Sequence, residues 1–116
     1  MLGLAAALIQ NANAGSAVAW DGRGHLFSSY GHPKAVAIQR ALETGQRHYG
    51  AAVRIIAATD VTGYGAVAVA HRRNGPGLLI GVALGKRSAT EAETLAMEQC
   101  VKIGGVDPRV RWAWRG

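Results

Sequence analysis

The sequence predicts an α+β fold in which one strand–strand–helix–strand unit occurs twice. Three internal similarities indicate the duplication. Residues 16–20 recur as 65–69, residues 37–41 as 92–96, and residues 52–57 as 109–114, at offsets of 49, 55 and 57 positions. Because duplicated units bury their apolar faces against each other, we expect one pseudo-symmetric domain. The strands of both copies are expected to form one mainly antiparallel sheet with two helices on one face.

The first copy covers about residues 15–60. Its strands are predicted over 16–20, 25–30 and 51–59, with a helix that opens at 31–33. The sequence DGRG at 21–24 indicates a turn between the first two strands. Pro33 is tolerated in the first turn of a helix. Helical spacing is shown by a set of small and apolar residues, namely Ala35, Ile38, Ala41, Leu42 and Gly45.

The second copy covers about residues 64–116. Its first strands are predicted over 65–70 and 78–84, on either side of a turn at 74–77 (NGPG). Ser88 and Glu91 have the spacing of a capping box, which predicts the start of the helix. The inner face of that helix is expected to contain Ala92, Leu95, Ala96, Gln99, Cys100 and Ile103. In the last strand, alternation predicts that Val110, Trp112 and Trp114 face one way while Arg109, Arg111, Ala113 and Arg115 face the other.

The length and charge of the chain limit the classes of protein to which it can belong. A chain of 116 residues suits one hydrophobic core, so we expect residues 15–116 to form a single domain. The formal net charge is +6. Such a charge favours an anionic partner, namely nucleic acid, acidic lipid or an acidic protein. A basic surface without any such partner is the alternative.

The N-terminal segment resembles a secretory signal. Residues 2–9 are apolar, and Ala-Asn-Ala at 12–14 is a small-x-small cleavage site before Gly15. No Lys or Arg lies between Met1 and the end of the apolar run, so the alternative is a segment that belongs to the fold. The run is too short to span a membrane. We expect a secreted or periplasmic protein without a membrane span, and a cytoplasmic one as the alternative.

Residue types that bind metals or cofactors do not occur here in the required spacing. Cys100 is the single cysteine, which excludes a disulfide within the chain and favours a small buried side chain. The four histidines, His25, His32, His48 and His71, lack metal-ligand spacing. Gly63 and Gly65 precede a strand instead of a helix, unlike the glycines of a dinucleotide-binding loop. We predict no metal and no cofactor.

Catalytic constellations are also weak, and we predict that the protein is not an enzyme. Ser28 and Ser29 lie near His25 and His32 in the sequence, but no nucleophile-elbow motif surrounds them. A cluster of His25, His32 and Asp60 in one cleft would favour an unrecognised hydrolase, which is the third hypothesis.

Arginine residues form the strongest candidate binding site. The alignment of the copies pairs Arg54 with Arg111, which predicts an Arg on the outer face of equivalent strands. The full candidate set is Arg54, Arg72, Arg73, Arg109, Arg111 and Arg115. Clustered Arg side chains bind phosphates in a salt-sensitive manner. A basic nucleic-acid-binding module is therefore the second hypothesis, and a solvated basic face is the simpler interpretation.

Motifs in both copies resemble a small secreted bacterial domain family of unknown function that is common in actinobacteria, including mycobacteria. The resemblance depends on GAVA at 65–68, on Ser88, Glu91-Ala92-Glu93, Ala96 and Cys100 in the helix, and on Gly104-Gly105 with Val110, Trp112 and Ala113 at the end. It covers nearly all of the chain after residue 14. It implies export and no assigned activity. Members usually carry paired cysteines, one directly after the final Trp-Ala, where this chain has Trp114.

These observations predict an exported domain that acts by binding a protein or an anionic surface and not by catalysis. The predicted contact surface is the arginine set given above. The oligomeric state is not determined by any of these patterns.

Overall fold

The computed structural model describes residues 15–116, and the predicted signal segment at 1–14 lies outside them. The elements of the first repeat are β1 (Gly15–Trp20), β2 (Leu26–His32), α1 (Lys34–Tyr49) and β3 (Arg54–Thr59). Those of the second are β4 (Tyr64–Arg72), β5 (Leu78–Lys86), α2 (Ala89–Lys102) and β6 (Gly105–Arg115). The predicted α+β fold and its twice-repeated strand–strand–helix–strand order are confirmed.

The predicted single sheet is wrong, because each repeat forms a three-stranded sheet of its own. The strand orders are β2-β1-β3 and β5-β4-β6, and all neighbouring strands are antiparallel. In each repeat the helix carries the chain past the central strand, so that the third strand pairs with the other edge of that strand. The chain divides into two compact units between Thr62 and Gly63.

Strand register shows which residues of the two repeats are equivalent. The pairs Val18↔Ala57 and Ala19↔Ile55 of the first sheet correspond to Val67↔Trp112 and Ala68↔Val110 of the second. Both third strands therefore contain one extra residue at the same place, Ile56 in β3 and Arg111 in β6. With the bulges matched, the third strands are offset by 55 positions, as the helices are, so the predicted offset of 57 is wrong.

Small side chains form the contact between each helix and its sheet. The buried helix residues are Ala37, Ala41 and Gly45 in α1, and Ala92, Ala96 and Cys100 in α2, again 55 positions apart. The facing sheet residues include Ala17 and Ala19 in the first repeat, and Ala66, Ala68 and Ala70 in the second. Leu95 and Ile103, which we expected on the inner face of α2, are exposed. A core of alanines leaves no room for these larger side chains between helix and sheet.

At one level of the helix–sheet contact, the large residue lies on the strand in the first repeat and on the helix in the second. Phe27 and Gly81 are equivalent, since they pair with Ala19 and Ala68 of the central strands. In the first repeat the strand supplies the large residue and the helix supplies Gly45, where a Cβ would lie 3.0 Å from the Phe27 ring. In the second repeat the strand supplies glycine and the helix supplies Cys100, whose Sγ would lie 3.0 Å from a Cβ at Gly81.

Cys100 is fully buried and unbridged, which confirms the prediction of a small core residue. Its thiol points to the carbonyl oxygen of Ala68, with an Sγ–O distance of 3.5 Å. Burial raises the pKa of the Cys100 thiol, while a hydrogen bond from the backbone of Gly81 opposes that rise. The reactive thiolate is therefore disfavoured in the folded chain.

The residues predicted to begin and end α2 do so in the structure. Ser88 is the N-cap, and its hydroxyl accepts a hydrogen bond from the backbone N–H of Glu91 at 3.1 Å. Gly104 ends the helix with a φ of 97°, a left-handed conformation that glycine adopts without strain. Among residues 15–116, no helix is long and apolar enough to cross a membrane.

Candidate anion-binding surface

The predicted arginine row on β6 is divided between the two faces of its sheet. Arg115 pairs with Tyr64, which packs against the helix-side core, and its guanidinium carbon lies 5.6 Å from the Tyr64 ring centroid. Arg109 pairs with Val69. Val69 and Tyr64 are an odd number of residues apart on β4, so their side chains point to opposite faces of the sheet, and Arg109 faces away from α2. The extra residue at the bulge, Arg111, reverses the alternation. The prediction of one face for Arg109, Arg111 and Arg115 is therefore wrong, although all three are exposed.

The same register corrects the equivalence of the repeats. Arg54 pairs with Trp20 in the first sheet, and Arg109 pairs with Val69 at the equivalent position in the second. Arg54 therefore corresponds to Arg109 and not to Arg111. Both are exposed on the sheet face that the helix of their own repeat leaves uncovered.

Arg72 and Arg73 lie where the β4–β5 hairpin leaves the sheet. Arg72 is the last residue of β4, pairs with Gly105, and donates its backbone N–H to the carbonyl oxygen of Gly77 at 3.5 Å. Both arginines are exposed. The hairpin thus places two cations at the end of the repeat where α2 finishes and β6 begins.

Three further cations, not identified from the sequence, lie at the end of each repeat where its helix finishes and its third strand begins. Arg47 and Lys102 occupy the last turns of α1 and α2, 55 positions apart, and Arg23 lies on the β1–β2 hairpin. We call this end of each repeat its hairpin end. It contains Arg23, Arg47 and Arg54 in the first repeat, and Arg72, Arg73, Lys102 and Arg109 in the second. Within residues 15–116 the structure shows no salt bridge for any of these seven cations.

An aspartate–histidine pair lies at the hairpin end of the first repeat. Asp21 Oδ2 is 2.6 Å from His25 Nδ1, and Asp21 Oδ1 accepts the backbone N–H groups of Arg23 and His25 at 2.8 and 3.1 Å. The His25 ring stacks on Tyr49 with a centroid separation of 3.7 Å and an interplanar angle of 17°. The Asp21 side chain is 6% exposed and that of His25 is 47% exposed. A nearly buried carboxylate thus fixes the orientation of an accessible imidazole.

Burial of the Asp21 carboxylate by itself raises its pKa, but hydrogen bonds outweigh this effect. The bond with His25, the two backbone N–H groups and the charge of His25 together lower the pKa of Asp21 below its ordinary value. A lowered pKa in the folded state means that Asp21 stabilises the fold at pH values above its ordinary pKa. That stabilisation is lost as the pH falls through the folded-state pKa.

We therefore expect Asp21→Asn to destabilise the protein at pH 6 and to have less effect at pH 2.5. The asparagine oxygen still accepts the two backbone N–H groups, so the turn is retained and mainly the charge is removed. Urea unfolding at both pH values measures the difference in unfolding free energy between variant and wild type. A difference that does not change with pH would contradict the assigned role of the charge.

The structure separates His25 from the other two residues of the predicted hydrolase cluster. His25 precedes β2 and His32 ends it, so they are about seven residue steps of roughly 3.3 Å apart. His32 and Asp60 lie together at the other end of the sheet, since a Cβ on Gly15 would approach the backbone of both. Gly63, from the predicted glycine motif, packs closely against β5, since a Cβ there would lie 2.5 Å from the Lys86 carbonyl oxygen. No phosphate group fits between Gly63 and β5. In the described part of the chain, no three His, Cys, Asp or Glu side chains are grouped as metal ligands.

Two grooves flank α2 in the second repeat. One, of about 290 Å³, lies beside β5, where Gln99 Oε1 accepts the backbone N–H of Val82 at 2.7 Å. The other, of about 450 Å³, is lined mainly by Met97, Val101 and Pro108 and is almost wholly apolar. The first groove also contains the charged residues Lys86, Glu98 and Lys102, whereas the second offers mainly apolar contact surface.

Comparison with known proteins finds no matching family model, curated protein or solved structure for this chain.

Proposed function

We propose that this protein is an exported binding domain, without catalytic activity, that holds an anionic partner on the hairpin ends of its repeats. The observation that carries the proposal is the repetition of cations at equivalent positions. Arg47 matches Lys102 on the helices, Arg54 matches Arg109 on the third strands, and each hairpin bears at least one further Arg.

Helix stability accounts for only part of this pattern. A cation in the last turn of a helix interacts favourably with the helix dipole, which explains Arg47 and Lys102. The dipole does not explain Arg54 and Arg109, which lie on strands and face away from the helix of their own repeat. An anionic ligand at the hairpin end of either repeat would gain direct contacts with cations for which the described residues show no salt bridge.

Export is supported by the signal-like segment at 1–14 and by the resemblance to a secreted family. A partner outside the cytoplasm that fits the cations is an acidic protein or an anionic cell-surface polymer.

Nucleic-acid binding is the second candidate, and Tyr49 is the observation that favours it. This aromatic residue is 46% exposed at the hairpin end of the first repeat, beside Arg23. Proteins that bind single strands combine such cations with exposed aromatic rings. One face of the Tyr49 ring is already covered by His25, which limits the stacking surface that remains.

The test is titration of the full chain with heparin, and separately with a short DNA duplex and a single strand, over a range of salt concentrations. We expect heparin affinity to fall with a log–log slope steeper than about −2, since each displaced counterion contributes about 0.9. Clearly tighter binding to either nucleic acid at equal salt would favour the second candidate. Absence of salt-dependent binding to all three probes would overturn the proposal.

A further inference from the structure

We infer that the pocket beside His25 is a proton-linked binding site for a phosphate monoester, the group by which an anionic partner is held. This inference rests on the proposed function and names the chemistry of one site within it. The pocket has a volume of about 190 Å³ and is lined by Asp21, Arg23, His25, Tyr49 and Ala52. All five belong to the first repeat, and they join its β1–β2 hairpin to the end of α1.

The orientation of His25 leaves one ring nitrogen for a ligand. Nδ1 is bonded to Asp21 Oδ2 at 2.6 Å, and the ring face is stacked on Tyr49. Nε2 is therefore the nitrogen through which the imidazole can bind. With Nδ1 held by a carboxylate, uptake of a proton places the N–H on Nε2, where it donates to an anion.

The charges around the pocket complement a dianion. Arg23 and protonated His25 line the pocket and bring two positive charges. Asp21 opposes them, but its oxygens are already occupied by His25 and by two backbone N–H groups. The other titratable or charged groups at this end are Tyr49 and His48 at the end of α1, Arg47 in its last turn, and Arg54 at the start of β3. A dianionic phosphate monoester accepts hydrogen bonds from both an imidazolium and a guanidinium.

Proton linkage distinguishes this site from a general basic surface. Histidine side chains change charge between about pH 5 and 8, whereas arginine stays charged. A phosphate monoester has a second pKa near about 6, so its binding should be strongest where both partners are charged. Sulfate remains a dianion over the whole range. Sulfate affinity should therefore rise steadily as the pH falls, and this rise should reflect the change in charge of the protein alone.

The test is titration of the full chain with sodium sulfate at pH 5.5 and pH 8.0 at constant ionic strength, followed by NMR of the backbone amides and histidine rings. We expect affinity about tenfold weaker at pH 8.0, with shifts centred on residues 21–25 and 49. His25→Gln should abolish the pH dependence, and the matched control His48→Gln should retain it. Methyl phosphate should show maximal affinity near about pH 6.

Sulfate affinity that is equal at both pH values, or that changes in the same way in His25→Gln, would overturn the inference. A far-ultraviolet circular dichroism spectrum and an unfolding midpoint for each variant establish that it is folded. Asp21→Asn provides a second variant, which should weaken the pH dependence by releasing the imidazole. Heparin binding by the wild-type chain separates the two proposals. If heparin binds but sulfate binding is independent of pH, only the phosphate site is contradicted. If heparin does not bind, the proposed function is contradicted, and the sulfate titration alone decides whether the pocket binds an anion.

Discussion

Replacement of Gly81 by alanine is expected to reduce the free energy of unfolding by about 3 kcal/mol or more. Gly81 lies in β5 under α2, and a Cβ at this position would overlap the backbone carbonyl oxygen of Ala96. It would also lie 3.0 Å from the Sγ of Cys100. A backbone atom in a helix cannot move aside by changing rotamer, so the whole helix must shift away from its alanine-lined sheet.

Two other glycines provide controls for this prediction. Gly24→Ala should change stability by less than about 0.5 kcal/mol, since nothing lies within 4 Å of a Cβ there. Gly45→Ala should have an intermediate effect, because the Cβ would meet side-chain atoms of Val53 and Phe27, the nearest at 2.6 Å. Urea unfolding followed by circular dichroism measures all three variants. If Gly81→Ala were as mild as Gly24→Ala, the close approach of α2 to β5 would be wrong.

Truncation of Trp114 to alanine is expected to cost about 3–5 kcal/mol. Trp114 is 7% exposed, and its ring covers Gly65 of the neighbouring strand so closely that a Cβ on Gly65 would lie 2.5 Å from ring atoms. The paired glycine thus provides the space that the indole fills. Removal of the ring loses this contact and leaves a cavity beside the central strand of the second sheet.

Trp112 is the matched control for Trp114. It lies two residues away on β6, its ring centroid is 6.4 Å from that of Trp114, and it is only partly buried. Trp112→Ala should therefore destabilise the protein less than Trp114→Ala in the same urea experiment. The reverse order would contradict the burial of Trp114 against Gly65.

The elements of the fold were predictable because their signals are local. The capping residue Ser88, the glycine exit at Gly104 and the alternation of β6 each depend on residues a few positions apart. Strand partners are not local, and the number of sheets was predicted incorrectly for that reason. The β-bulge at Arg111 was also missed, since one extra residue leaves the apolar–polar alternation of the sequence unchanged while it reverses the faces. The wrong equivalence of Arg54 has another cause: residues 52–57 and 109–114 were matched by residue type, whereas pairing with the central strands matches Arg54 with Arg109.

The candidate site was only partly predictable. Arg54, Arg72, Arg73 and Arg109 were identified and lie at the hairpin ends, while Arg115 is found at the far end of β6. Arg47 and Lys102 could have been found by applying the 55-residue offset of the helices to every charged position. The Asp21–His25 pair was hidden within a turn signal, because the sequence indicates a turn but not which side chains that turn brings together.

The most direct test of the central claim is a comparison of heparin affinity between two charge-matched double variants. Arg54→Gln/Arg109→Gln removes the equivalent strand cations, while Lys34→Gln/Arg87→Gln removes two exposed cations outside the hairpin ends. Both lower the net charge of +6 equally. If the hairpin ends hold the anionic partner, the first variant binds about tenfold more weakly than wild type, or about 1.4 kcal/mol, and the second nearly as tightly. Equal losses in the two variants would contradict the claim and leave only a general effect of net charge.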